Sequence, residues 1–135
     1  MLFRSVVGVI TDKLVDLELA YHGADELIVT TTMSERKHIM AEKADAFIAM
    51  PGGFGTIEEV MEVLVLKQLW YHQKPCVFLN VNGIYDHLFA FFDTLIGAHF
   101  IKELHKRLFR VCETPEDAYD YLDNYTPEPV HGKWF

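Results

Sequence analysis

Residues 50–59, MPGGFGTIEE, constrain the fold of this 135-residue chain more than any other stretch. An apolar run precedes them at residues 46–50, and a long apolar helical pattern begins at Thr56. This order predicts a strand, a glycine turn and a helix N-terminus. Glycines allow a ligand to approach the backbone closely, and the first N–H groups of a helix point outward at the positive end of its dipole. The stretch therefore predicts an anion site.

Short β-branched runs alternate with helical patterns along the chain. The predicted strands cover residues 5–11, 26–33, 46–50, 75–80 and 107–113, and the predicted helices cover residues 34–44, 56–70, 85–100 and 115–125. Residues 12–23 fit either a short helix or an irregular loop. The alternation predicts an α/β fold, a Rossmann-like, three-layer, doubly wound parallel sheet. We expect one domain over residues 1–125 and a tail over residues 126–135, docked through Trp134 and Phe135.

The glycine stretch contains most of the candidate site residues. Three glycines and a threonine are predicted to form a phosphate cradle: Gly52, Gly53, Gly55 and Thr56. The alternative is a strand-to-helix turn that requires glycines only for its shape. The spacing matches neither GxxxxGK[ST] nor GxGxxG, which argues against kinase, GTPase and dinucleotide sites.

Glu59 has two interpretations. Thr56 and Glu59 have the spacing of a capping box, in which the glutamate carboxylate accepts a hydrogen bond from the backbone N–H of the cap residue. A carboxylate is unfavourable beside a phosphate, so a functional Glu59 is expected to face the ribose instead. Glu62 shares a helix face with Glu59 by its i, i+3 spacing.

Residues 33–37 form a second candidate segment, because they follow the second predicted strand. Ser34 is the predicted N-cap of the next helix. Arg36 and Lys37 then lie in its first turn, where a cation opposes the helix dipole unless an anion or carboxylate is near. The alternative is a solvated surface pair. Met33 and Met40 are apolar residues of a kind that is more often core than ligand contact.

Composition limits the classes of partner. The formal net charge of −8 argues against a nucleic-acid partner, which requires a basic face. Cys76 and Cys112 lie in apolar runs, which is typical of buried thiols in a reducing compartment. No metal-ligand spacing, signal-peptide pattern or membrane-length apolar run is present in the sequence. We expect a cytoplasmic protein with no membrane partner.

The paired motifs resemble a known family. Met33-x-x-Arg36-Lys37, followed by residues 51–59 as PGGFGTIEE, is similar to the MxxRK and PGGxGTxxE signatures of the LONELY GUY (LOG) family. Members of this family are nucleoside 5′-monophosphate phosphoribohydrolases, and many once carried the label lysine decarboxylase. The resemblance continues through Lys74-Pro75 and the Asn80-x-x-Gly83-x-Tyr85-Asp86 segment to about Leu122.

The resemblance implies a reaction and roles for residues. The reaction is hydrolysis of the N-glycosidic bond of a purine-type nucleoside 5′-monophosphate, without a metal or other cofactor. Arg36 and Glu59 are implied as the catalytic pair. The implied substrate- and phosphate-binding residues are Met33, Lys37, Gly52, Gly53, Gly55, Thr56 and Glu62. A homodimer is expected through the helix predicted from Thr56 to Trp70, which is apolar nearly all round.

The resemblance also predicts a departure. Family members have a further segment before the position of Gly8, so this chain is expected to be N-terminally truncated, corresponding to the carboxyl-terminal two-thirds of the family fold. The first strand would then lack a neighbour. Two alternatives remain open: a non-catalytic carrier of a nucleotide or a molybdenum-type cofactor, and an inactive fragment. A lysine decarboxylase is disfavoured, because nothing in the sequence indicates a pyridoxal phosphate lysine.

Overall fold

A computed structural model describes residues 5–128 and confirms the α/β class with parallel strands. The chain divides after Ala44 into two compact units, each with its own sheet. The single domain predicted over residues 1–125 stays a prediction. The tail docking predicted for Trp134 and Phe135 lies outside the described residues.

The first unit contains two strands and two helices: β1 (Val7–Thr11), α1 (Asp12–Asp16), β2 (Glu26–Thr30) and α2 (Met33–Lys43). β1 and β2 pair in parallel, with Val7 opposite Glu26 and Thr11 opposite Thr30. Of the two alternatives left open for residues 12–23, a short helix forms over their first five residues. The second strand is shorter than predicted, because α2 begins at Met33.

The start of α2 differs from the sequence prediction. The N-cap is Thr32, not Ser34: the hydroxyl oxygen of Thr32 accepts a hydrogen bond from the backbone N–H of Glu35 at 3.1 Å. The Glu35 carboxylate in turn accepts from the backbone N–H of Thr31 at 3.0 Å. Thr32 has the extended backbone that a cap requires, whereas Ser34 is already the second helical residue. The prediction was wrong because three hydroxyl residues compete for the cap within a short stretch.

The second unit contains three strands and three α-helices: β3 (Phe47–Ala49), α3 (Phe54–Gln68), β4 (Cys76–Leu79), α4 (Asp86–Gly97), β5 (Arg110–Cys112) and α5 (Pro115–Asp123). Two 3-10 turns cover Val81–Gly83 and Glu103–Leu108. The strands are parallel and lie in the order β3-β4-β5, so β4 is central. At the start of α5, Thr114 caps the helix and Pro115 follows it, as the sequence predicts.

β4 separates two apolar clusters. The side chains of Cys76 and Phe78 point into a cluster that includes residues of α3, and Val77 points into a second cluster with Cys112 and Ala118. This alternation follows from the two-residue period of a strand. Helices therefore cover both faces of the sheet, and the second unit has three layers.

Aromatic rings fill the first cluster. The Phe78 ring meets three others edge-on, those of Tyr85 at 5.2 Å, Phe89 at 5.4 Å and Phe109 at 5.1 Å between centroids. Edge-to-face pairs add roughly 0.5–1.5 kcal/mol each beyond the burial of their area. Phe78 itself is completely buried. This cluster joins α3 and α4 to the same face of the sheet.

α3 is less evenly buried than its composition predicts. Val60 and Leu64 are buried against the sheet, whereas Val65 is half exposed. Lys67 lies on the buried side, where its ammonium group is 5.1 Å from the centroid of the Tyr125 ring. Within residues 5–128 this ammonium has no hydrogen-bond acceptor, so the aromatic face is its main favourable contact.

Two histidine rings accept hydrogen bonds from backbone N–H groups. His72 Nε2 bonds the carbonyl oxygen of Val63 at 2.9 Å, and its Nδ1 accepts from the backbone N–H of Lys74 at 3.1 Å. His105 Nδ1 accepts from the backbone N–H of Lys102 at 3.1 Å. Burial lowers the pKa of both rings below the ordinary value of 6.5, and nearby lysines lower it further. Protonation would also remove the acceptor that each Nδ1 provides.

These histidines predict the direction of the pH dependence of stability. Because their pKa is lower in the folded chain, the unfolded chain binds protons first as the pH falls. The free energy of unfolding should be independent of these groups above pH 6.5 and decrease as the pH falls below it. Urea unfolding between pH 8 and pH 5 measures this.

A His105→Asn variant keeps an acceptor near the position of Nδ1 but does not titrate, so its stability should depend less on pH. His87→Asn is the matched control, because His87 is exposed. An unchanged pH slope in His105→Asn would contradict the account of His105.

Candidate functional site

The glycine loop, defined here as residues 50–53, connects the carboxyl end of β3 to the start of α3. Gly52 is required there by packing. A Cβ atom on Gly52 would overlap the hydroxyl oxygen of Thr56 and lie 2.8 Å from its Cβ. The Thr56 side chain therefore covers the Gly52 backbone and fixes the turn between strand and helix.

Gly53 and Gly55 are glycines for a different reason. A Cβ atom at either position would meet no atom within 4 Å, and neither backbone has a positive φ. The local fold therefore does not require glycine at these two positions. Open space over the backbone at a helix N-terminus is the arrangement by which glycines admit an anion.

The start of α3 lies two residues before the sequence prediction. Gly53 is the N-cap and Phe54 is the first helical residue. Thr56 is therefore the third residue of the helix, and the capping box proposed for Thr56 and Glu59 is wrong. The cause is the extended backbone of Gly53, at φ −94° and ψ −151°, which lets the helix begin before the threonine.

Glu59 and Glu62 lie on the second and third turns of α3. Glu59 is partly buried, whereas Glu58 and Glu62 are exposed. With the capping box excluded, Glu59 follows Thr56 on one face of the helix by i, i+3 spacing. The second unit thus brings together the glycine loop, Gly55, Thr56 and Glu59.

Tyr85 is a residue of this region to which sequence reasoning assigned no role. It is buried, and its hydroxyl donates a hydrogen bond of 2.5 Å to the carbonyl oxygen of Met50 in the glycine loop. Burial raises the pKa of Tyr85, and a backbone hydrogen bond from Gly52 opposes this shift. Its signal in the sequence is the Asn80-x-x-Gly83-x-Tyr85-Asp86 segment, which is part of the family resemblance.

The first unit contains the other predicted site residues, Met33, Arg36 and Lys37, in the first turns of α2. Arg36 Nε donates a hydrogen bond of 2.8 Å to the carbonyl oxygen of Val9 in β1. The Arg36 side chain is therefore anchored on the neighbouring strand instead of extending freely into solvent. Lys37 is partly buried, and Met33 is exposed by 45%.

Residues 5–128 contain neither a metal-binding cluster nor a membrane-spanning helix. No group of three or more histidine, cysteine, aspartate and glutamate side chains is arranged to hold a metal ion in this part of the chain. None of its helices is both long enough and apolar enough to cross a bilayer.

Comparison with known proteins agrees with the motifs. Residues 3–122 match the family described as possible lysine decarboxylase. The chain is 41% identical over 125 residues to the cytokinin riboside 5′-monophosphate phosphoribohydrolase LOG of Oryza sativa subsp. japonica, covering 93% of this chain and 52% of the relative. It is 38% identical over 125 residues to LOG2 of Arabidopsis thaliana, which has the same enzyme name, covering 93% and 59%.

A further rice relative, named probable cytokinin riboside 5′-monophosphate phosphoribohydrolase LOGL2, is 38% identical over 125 residues, covering 93% of this chain and 51% of the relative. The chain thus spans between half and three-fifths of the length of these curated relatives. Because the family pattern extends over both units and includes both motifs, the chain belongs to the LONELY GUY (LOG) family, whose shared sequence pattern is described as possible lysine decarboxylase.

Proposed function

We propose that the protein hydrolyses the N-glycosidic bond of a purine-type nucleoside 5′-monophosphate, either a cytokinin riboside monophosphate or AMP. The products are the free base and ribose 5-phosphate. The observation that carries this proposal is the open space over Gly53 and Gly55 at the start of α3, in a chain whose relatives are named phosphoribohydrolases. The proposed phosphate site is the backbone of Gly52, Gly53, Gly55 and Thr56.

The chemistry assigns a role to Glu59. Departure of the base leaves positive, oxocarbenium-like charge on the ribose, as in the hydrolysis of O-glycosides. A carboxylate near the ribose stabilises that charge and accepts a proton from the attacking water. The water oxygen bonds to C1′ and the C1′–N bond breaks. The base gains one proton, which balances the proton that the water gives to Glu59. Glu59 is suited to this role because it lies one turn beyond the helix end that would hold the phosphate.

Arg36 is the proposed partner of Glu59 in catalysis. A guanidinium group binds phosphate or carboxylate through charge-assisted hydrogen bonds. Its Nε donates to the Val9 carbonyl oxygen. The guanidinium group is proposed to bind the ribose phosphate. Met33, Lys37 and Glu62 are proposed as further substrate-binding residues.

Substitution of Glu59 tests the proposed mechanism. Glu59→Gln keeps the shape of the side chain but removes the negative charge, so release of base from AMP or isopentenyladenosine monophosphate should fall by at least about 100-fold. Chromatography of the products measures this. Glu58→Gln, one position earlier on α3 and exposed, is the matched control and should retain activity.

Full activity in Glu59→Gln would remove Glu59 from the mechanism. If the unaltered chain raises its melting temperature with AMP but releases no base, the carrier alternative is supported and the hydrolase proposal is contradicted for this chain.

Substitution of Gly55 should have opposite effects on the stability of the chain and on ligand binding. Gly55→Ala should stabilise α3, by up to about 1 kcal/mol, because alanine is the better helix former and its Cβ meets no atom. The same methyl group would occupy the proposed phosphate space, so affinity for AMP should fall. Thermal unfolding and calorimetric titration measure the two effects.

Gly52→Ala is the comparison for this prediction, because its Cβ overlaps Thr56 and should destabilise the unit directly. If Gly55→Ala bound AMP as tightly as the unaltered chain, the phosphate site would not lie over Gly55.

The proposed assembly is a homodimer through α3. α3 covers Phe54–Gln68, whereas the sequence pattern predicts a helix from Thr56 to Trp70. The apolar side chain of Val65 is 50% exposed on this helix and is the proposed contact. Val65→Glu should convert a dimer into a monomer in analytical ultracentrifugation, and a monomeric unaltered chain would contradict the proposal.

We expect the dimer in the cytoplasm, where the thiols of Cys76 and Cys112 stay reduced.

A further inference from the structure

We infer that Tyr85 is a positioning residue that holds the glycine loop in the shape that binds phosphate. The inference rests on the proposed function for the identity of the ligand, but not for the structural role of Tyr85. Tyr85 lies between the 3-10 turn after β4 and the first residue of α4. It is 35 positions away from the loop residue that it contacts.

The contact between Tyr85 and the loop is direct. The Tyr85 hydroxyl donates to the Met50 carbonyl at 2.5 Å, and the Gly52 backbone hydrogen-bonds to the same tyrosine. Met50 and Gly52 flank Pro51, so the phenol holds the loop on both sides of that residue. The loop residues themselves are exposed, whereas Tyr85 is only 3% exposed. A buried group thus fixes an exposed backbone.

Tyr85 is itself held from several directions. Its backbone N–H donates to Asn80 Oδ1 at 2.8 Å, and Asn80 Nδ2 donates to Asp86 Oδ1 at 2.8 Å. Its ring packs edge-on against Phe78 in β4. These contacts leave the hydroxyl a fixed position over the carboxyl end of β3. The hydrogen bonds that link Asp86, Asn80, Tyr85 and Met50 therefore connect the loop to the end of the central strand.

Rigidity of this loop has a functional consequence. A backbone cradle binds an anion well only if its N–H groups already point at the ligand, because ordering the loop on binding reduces the affinity. Loss of one hydrogen bond of ordinary strength changes an equilibrium by about fivefold. Removal of the Tyr85 hydroxyl should therefore weaken phosphate binding by about that factor, without removing any group that touches the phosphate.

The test compares two tyrosine-to-phenylalanine variants of the full chain. Tyr85→Phe removes the hydroxyl at the loop. Tyr125→Phe is the matched control, because its hydroxyl also donates to a backbone carbonyl, that of Gln73, at 3.0 Å. Binding of inorganic phosphate and of AMP is followed by ¹⁵N NMR titration, and amide hydrogen exchange is measured on the same samples without ligand.

We expect Tyr85→Phe to weaken binding of both probes about fivefold and to speed exchange of the Gly52 amide, with the fold retained. Tyr125→Phe should change neither the affinity for the two probes nor the exchange of the Gly52 amide. This should hold even if it lowers the melting temperature as much as Tyr85→Phe does. Unchanged Gly52 exchange in Tyr85→Phe would overturn the positioning role. Equal loss of affinity in the two variants would also overturn it, because the effect would then be one of general stability.

A different binding result would contradict the proposed function. If the unaltered chain binds neither phosphate nor AMP, the phosphate site is contradicted and the functional half of the inference falls with it. The exchange rate of the Gly52 amide still decides, in that case, whether Tyr85 holds the loop.

Discussion

Burial of β4 on both of its faces is the constraint on which the second unit depends. Cys76, Val77 and Phe78 are between 0% and 1% exposed, and each neighbouring side chain points to the opposite face. A strand of this kind is stable only with a strand on either side and helices above and below. β3 and β5 provide the first condition, α3 and α4 cover one face, and α5 covers the other. Burial raises the pKa of the Cys76 thiol to about 11, which disfavours the reactive thiolate form.

The position of the candidate site follows from the same strand. β3 and β4 are parallel neighbours, with Ala49 opposite Phe78, so the loops that leave their carboxyl ends lie side by side. One of these loops contains Met50 and Gly52, and the other contains Asn80 and leads to Tyr85. This adjacency allows a buried phenol in one connection to bond the backbone of the other. The glycine loop is thus shaped by its neighbour as much as by its own sequence.

Sequence patterns predicted the elements better than their ends. The order of strands and helices, the buried cysteines and the Thr114 cap of α5 were all predictable, because each depends on local periodicity or on one strong residue preference. The caps of α2 and α3 were not, since neighbouring hydroxyl and glycine residues offered several possible helix starts. The division after Ala44 has no composition signal such as a proline- or glycine-rich linker.

The candidate site could be predicted from the sequence only in part, because local patterns do not encode contacts between distant residues. The motifs predict Arg36, Glu59 and the glycines as site residues. Motif spacing does not separate Gly52, where packing requires glycine, from Gly53 and Gly55, where it does not. The contact of Tyr85 with Met50 joins residues 35 positions apart, and no local pattern encodes a contact of that range. The Arg36 bond to the Val9 carbonyl, 27 positions away, is of the same kind. Tertiary contacts therefore supply what the motifs leave undetermined.

In the proposed reaction, water attacks the ribose carbon of a nucleoside monophosphate, and the helix end holds the phosphate without cleaving it. Incubation of the purified chain with AMP in ¹⁸O-labelled water, followed by mass spectrometry of the products, identifies the atom that water attacks. The proposed reaction places one ¹⁸O atom in ribose 5-phosphate and none in adenine or in free phosphate. Labelled inorganic phosphate together with intact adenosine would place the attack at phosphorus and contradict it.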